Sequence, residues 1–171
     1  MEEATGGPPY EPPYDPIMIR DYILCKGGGD LDKLQVIKIA SIAYGYVLAM
    51  TNKRLFRGGV EAWAYGPVVP AIYETLKEYN GRIGELPYSA TGFGNDAGID
   101  SSLAYIEARL TDQVRVILGA VVERYGRLSG SELHRLTHIK GSPWEKSYRR
   151  GEQHTPIPDE VIRGYYEGLA G

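Results

Sequence analysis

KLQVIKIASIAYGYVLAM, residues 33–50, carries apolar side chains around most of a helical circumference. Leu34, Val36, Ile37, Ile39, Ala40, Ile42, Ala43, Tyr44, Val47 and Leu48 leave only a narrow stripe of Gln35, Lys38, Ser41 and Gly45. A helix that is apolar nearly all round belongs among other elements. Two lysines and a glutamine set these eighteen residues apart from a membrane span, which needs about 20 predominantly apolar residues. The stretch reads as a central core helix.

Upstream, Ile17, Met18, Ile19, Tyr22 and Ile23 fit a short helix that starts at Pro16 and stops at Gly27. Before it, five prolines stand in the first sixteen residues with almost no aliphatic content, so residues 1–15 read as a disordered Pro/Tyr-rich tail. Downstream, Leu55-Phe56 and residues 60–63 are short β-prone runs flanking Arg57-Gly58-Gly59, which suggests a small β hairpin. Pro67 and Pro70 then place a helix start near Val69, because proline is tolerated in a helix only in its first turn. Residues 82–102 are glycine-rich and read as a loop, and Gly92-Phe93-Gly94 lacks the third glycine and flanking elements of a dinucleotide fingerprint.

Val114, Ile117, Leu118, Val121 and Tyr125 recur at helical spacing, with Thr111 to cap the start and Gly126 the end. Ser129 and Glu132 fit a capping box for the next helix, which runs to about His138. A short turn follows at Pro143-Trp144, and Pro158 opens a last helix with Val161, Ile162, Tyr165 and Leu169 inward. The expected fold is mainly α: a single helical domain over residues 16–171 with a small hairpin.

Composition narrows the function classes. The net charge of −3 over 171 residues argues against a generic polyanion binder. One cysteine, Cys25, rules out an internal disulfide and a Cys-based zinc site. The N-terminus offers acids and prolines where a signal peptide has basic and apolar residues, so the expected setting is cytoplasmic. His134 and His138 stand i, i+4, the spacing of two zinc ligands on one helix. The metalloprotease pattern requires Glu where Arg135 stands, and a third ligand would have to come from His154 or a carboxylate. His138 reads instead as a half-buried polar residue at a helix end. No nucleophile elbow, P-loop or paired acidic motif appears, so neither an enzyme nor a cofactor is expected. Residues 109–150 hold nine Lys/Arg against four acids, a local +5 that leaves −8 for the rest. Two short helices across a tight turn in a basic segment are compatible with a DNA reader. A polarised surface for a protein partner explains the same charge layout.

Trp63-Ala64-Tyr65-Gly66-Pro67-Val68-Val69-Pro70 with Tyr73 and Leu76-Lys77-Glu78-Tyr79, followed by Tyr125-Gly126, Leu128-Ser129, Glu132-Leu133, Leu136-Thr137-His138 and Ser142-Pro143-Trp144, resembles the Panacea-domain, SocA-like antitoxin family, whose members are often described as phage-associated proteins. The resemblance covers residues 31–166, while the tail and the glycine loop lie outside it. It implies an antitoxin that neutralises a protein toxin encoded nearby by direct binding, with one mode acting as a proteolytic adaptor to a Clp-type protease. It marks Trp63, Tyr65, Gly66, Pro67, Val68, Thr137, His138, Pro143 and Trp144 as signature residues, with a scaffold role foremost and a binding role, toward a shared Clp-type protease or chaperone, second. Toxin choice would then lie in the tail and in residues 89–98. The alternative is a DNA-binding autoregulator or a phage accessory protein acting on a host factor.

Overall fold

The computed structural model describes residues 7–83, 86 and 98–170. Helix α1 (Pro16–Lys26) starts where the Asp15 side chain accepts from the Ile17 amide at 2.8 Å and Pro16 fills the first turn. Helix α2 (Lys33–Thr51) is the expected core helix. Asp32 and Gln35 cap it reciprocally, at 2.7 and 2.9 Å, and Asn52 ends it in the left-handed conformation. The sequence then runs through β1 (Glu61–Trp63), β2 (Gly66–Val68), α3 (Pro70–Leu76), α4 (Gly98–Glu107), α5 (Asp112–Tyr125), α6 (Gly130–Thr137), α7 (Pro143–Ser147), β3 (Thr155–Pro156) and α8 (Asp159–Ala170).

By length and composition α2 alone among the described helices could cross a membrane. Here it packs against α1, α5, α6 and α8 instead. Every residue from Val36 to Gly45 is buried, so Lys38, Ser41 and Gly45 of its polar stripe lie inside, with Gln35 half-buried at its start. Each aliphatic side chain enclosed this way contributes roughly 1.5–3 kcal/mol. Gly45 has a packing reason: a Cβ there would fall inside the Tyr166 ring of α8. At the far end of the same helix pair, the Tyr44 hydroxyl donates to Asp159 at 2.7 Å, and Arg54 Nε donates both to Tyr44 and to Asp159 at 2.9 Å.

The hairpin exists, at a different place from the expected one. β1 pairs antiparallel with β2, with Trp63 opposite Gly66, and on its other edge with β3, giving the order β2-β1-β3. Leu55 and Phe56 are β-prone, but both side chains are consumed by the core. Phe56 instead bridges to Tyr14. Residues 7–15 of the expected tail lie on the body of the protein. Tyr14 is only 4% exposed; its hydroxyl donates to the Tyr10 carbonyl at 2.6 Å and accepts from the Thr111 amide at 3.0 Å. Backbone bonds hold the same segment: the Tyr10 amide donates to the Arg109 carbonyl at 2.9 Å, the Tyr14 amide to the Leu55 carbonyl at 2.9 Å and the Arg57 amide to the Tyr14 carbonyl at 3.1 Å, pairings that Pro-rich composition does not reveal.

Two further differences concern helices. α4 begins inside the stretch read as loop; Ile99, Leu103 and Ile106 supply its apolar face after the glycines. In α8 Ile162 and Tyr166 are buried and Val161 and Tyr165 are half-buried against the core, whereas Leu169 is exposed.

Candidate functional site

The signature residues converge on a single clasp between the hairpin, α2, and the α6–α7 corner. Lys38, buried at mid-α2, extends its ammonium to the β1–β2 turn and donates to the carbonyls of Tyr65 at 2.9 Å and Pro67 at 3.2 Å. Its partners are carbonyls, not carboxylates. Burial pulls the Lys38 pKa down to about 8, since desolvation penalises the charged form. Gly66 has φ +113°, a backbone conformation suited to glycine. A Cβ at Gly66 would stand 2.5 Å from both Lys38 Nζ and His138 Cε1, so the turn, the lysine and the histidine meet where only a hydrogen fits.

His138 is the second member. Its Nδ1 lies 2.6 Å from the His134 carbonyl; a carbonyl only accepts, so Nδ1 carries the proton and Nε2 bears the lone pair. That Nε2 is buried with no hydrogen-bond partner among the described residues. Burial is the largest cause lowering the His138 pKa, and Lys38 adds to it. The ring is therefore neutral at pH 7. It stacks on His134, with centroids 3.9 Å apart, and lies 4.2 Å from Trp144. The Trp144 indole donates to the Trp63 carbonyl at 2.6 Å and stacks on Tyr148. Ser142 and Pro143 start α7 and hold this tryptophan in place, the Ser142 hydroxyl accepting from the Glu145 amide at 3.3 Å. On the other face of the hairpin, Trp63 stacks on His154 and meets Tyr73 edge-on.

Of the signature residues, Gly66, Pro67, Val68, Thr137 and Pro143 are buried, and Trp63, His138 and Trp144 are half-buried. Tyr65, at the hairpin tip, is 79% exposed. Thr137 turns its hydroxyl back to the Leu133 carbonyl at 3.0 Å. The sequence reading places Lys38 only in the polar stripe, although a lysine set inside a helix apolar nearly all round, away from its ends, is the available signal. His154 covers Trp63 rather than joining the other histidines. Among the described residues no three His, Cys, Asp or Glu side chains gather as a metal site. Burial pushes the Cys25 thiol up to about 11, with Asp21 adding to the shift; a thiol of that pKa is a poor nucleophile at neutral pH. Residues 87–97, which hold nearly all of the stretch expected to choose a toxin, lie outside the described residues.

Beside the clasp a groove of about 430 Å³ opens between α2, α5, α6, α7 and α8, with Trp144 and Tyr165 among its walls. The clasp is hydrogen-bonded backbone and stacked rings, which suits holding shape; the groove and the hairpin tip supply surface.

Residues 37–145 match the family described as Antitoxin SocA-like, Panacea domain. The matched span starts one residue before Lys38 and ends one after Trp144, so it contains the clasp from Lys38 to Trp144, while Tyr148 and His154, which stack on its two tryptophans, lie beyond it. Antitoxin SocA of Caulobacter vibrioides (strain NA1000 / CB15N) is 29% identical over 116 residues, which are 67% of this chain and 58% of the relative. The chain therefore spans somewhat over half the length of that curated relative. No solved structure matches the chain.

Proposed function

Because the chain belongs to the family of SocA-like antitoxins that share the Panacea domain, we propose that it is the antitoxin of a toxin–antitoxin pair. It neutralises a cognate protein toxin in the cytoplasm by binding it directly, and the protein does no chemistry of its own. The observation that carries this reading is the family match over residues 37–145, which brackets the clasp. Residues 16–171 act as one helical domain in this reading. Within the signature, Trp63, Gly66, Pro67, Val68, Thr137, His138, Pro143 and Trp144 shape the scaffold, and Tyr65 reaches a partner. An amphipathic aromatic ring left 79% exposed at a hairpin tip is the kind of residue enriched at interface hot spots.

The DNA-binding alternative draws less support. The would-be reading helix, α7, is five residues long, and its Trp144 donates inward to Trp63. A recognition helix needs several side chains free to reach base edges.

Growth rescue tests the proposal. The adjacent reading frame is expressed from an inducible promoter, with and without this protein, in parent and Clp-deficient hosts. Relief of toxicity in both hosts is the expected result and indicates neutralisation by binding. Relief confined to the protease-bearing host establishes the adaptor mode. A toxic neighbour that this protein fails to relieve overturns the antitoxin reading.

A further inference from the structure

The groove beside the clasp has lips that remain in water. Leu136, Ile139 and Leu169 line it and are 36%, 46% and 52% exposed. Exposed apolar surface gathered around a concavity marks a contact site, whereas single scattered residues do not. Its volume of about 430 Å³ falls within the roughly 300–1,000 Å³ of built binding sites. Among the described lining residues the charged one is Arg124, and no carboxylate joins it. Three of its walls, α5, α6 and α7, come from the segment 109–150, with nine Lys/Arg against four acids.

We propose that this groove is where the toxin docks, and that its occupant is an apolar segment of the toxin flanked by a carboxylate that meets Arg124. This rests on the antitoxin reading and goes beyond it by naming the surface and the chemistry of the partner. Aliphatic lips and aromatic walls suit an amphipathic segment laid into a groove, the mode in which spaced apolar anchors supply affinity. The arginine sets register and rejects partners that lack the acid. A second copy of this chain would bring two cationic grooves face to face. A nucleic acid would be served by the charge but not by three aliphatic lips.

The experiment uses the full chain and the purified product of the adjacent reading frame, with Kd measured by calorimetry. Arg124→Glu, Leu136→Glu and Ile139→Glu alter exposed positions, and their thermal melts show whether each variant folds. Val116→Glu replaces an apolar residue on α5 that is 63% exposed and lies outside the groove. Each groove variant should weaken binding on the order of 10-fold or more, while Val116→Glu and Arg124→Lys bind within about 3-fold of wild type. A photo-crosslinking amino acid in place of Leu169 should attach to the toxin. Folded groove variants that bind like wild type, with no crosslink, overturn the groove and leave the antitoxin reading standing. A wild-type protein that binds no toxin overturns that reading and the groove with it. Equal loss in Val116→Glu, or capture of promoter DNA that the groove substitutions abolish, also overturns the assignment.

Discussion

Replacing Gly45 by alanine should destabilise this protein even though alanine is the better helix former. In isolation the change would favour α2 by about 0.5–1 kcal/mol. Here the new Cβ would stand 2.7 Å from Tyr166 Cγ, with Cδ2 and Cε2 nearer still. Carbon pairs settle at about 3.5–4.0 Å, so the nearest ring atoms have to retreat by roughly 1.5 Å. It has little room to do so: Tyr166 is buried and sits edge-on to Tyr46 and Tyr165, with centroids 4.9 and 5.1 Å away. Helix α8 must move as a unit. Overpacking of this kind costs about 1–3 kcal/mol. Net of the helix gain the range runs up to about 2.5 kcal/mol, and a ring this closely packed places the expected loss at about 1–2 kcal/mol, or roughly 2–8 °C in Tm for a chain of this size. Urea titration and thermal melts followed by circular dichroism measure it. Gly164→Ala and Gly168→Ala in α8, where an added Cβ meets open space, should instead stabilise by a few tenths to about 1 kcal/mol. A Gly45→Ala protein as stable as wild type would refute the close-approach argument. On the proposed docking of a toxin in the groove, the same variant should also bind it less well, because Tyr165 and Leu169 ride on α8.

Lys38 gives a pH signature. Its pKa is lowered from 10.5 to about 8 in the folded protein, so its favourable contribution is present above 10.5 and lost as the pH falls through 8. The drop corresponds to about 3 kcal/mol. Wild type should gain on Lys38→Met by up to that amount between pH 7 and 10, and a flat difference in urea stability would contradict it. Trp144→Phe leaves the Trp63 carbonyl without its 2.6 Å donor and should cost about 1–2 kcal/mol, with α7 showing faster hydrogen exchange; unchanged exchange would deny the clasp. Tyr14→Phe removes the hydroxyl that joins the Tyr10 carbonyl to the Thr111 amide. It should cost about 1–2 kcal/mol and open residues 7–13 to limited proteolysis, and equal cleavage of wild type would show that the phenol does not hold the segment.

The helices were legible wherever apolar period and caps agreed: α1, α2, α5 and the Ser129-capped start of α6 all announce themselves locally. The hairpin was misplaced because Leu55 and Phe56 satisfy β propensity and core burial alike, and propensity cannot tell the two apart. α4 went unread because glycines mask the Ile99, Leu103, Ile106 period. The docking of residues 10–14 depends on Thr111, almost a hundred residues away, and no local pattern carries that. The clasp is partly legible: the resemblance picks out residues at both of its halves, but nothing local distinguishes the buried lysine between them from the rest of the polar stripe. That Trp63 and Trp144 touch could be known only once the chain had folded, because the bond joins an indole to a backbone carbonyl.

The pairing of α2 with α8 also sets a clock. Roughly a hundred residues separate the two helices, which at ribosomal rates of about 5–20 residues per second is some 5–20 s of synthesis. Throughout that interval the face of α2 around Gly45 and Tyr46 has no α8 to cover it, and the groove lacks one wall. A newly started chain is thus present before it is competent. On the proposed antitoxin reading, protection in a cell begins when α8 closes on α2 rather than when translation begins.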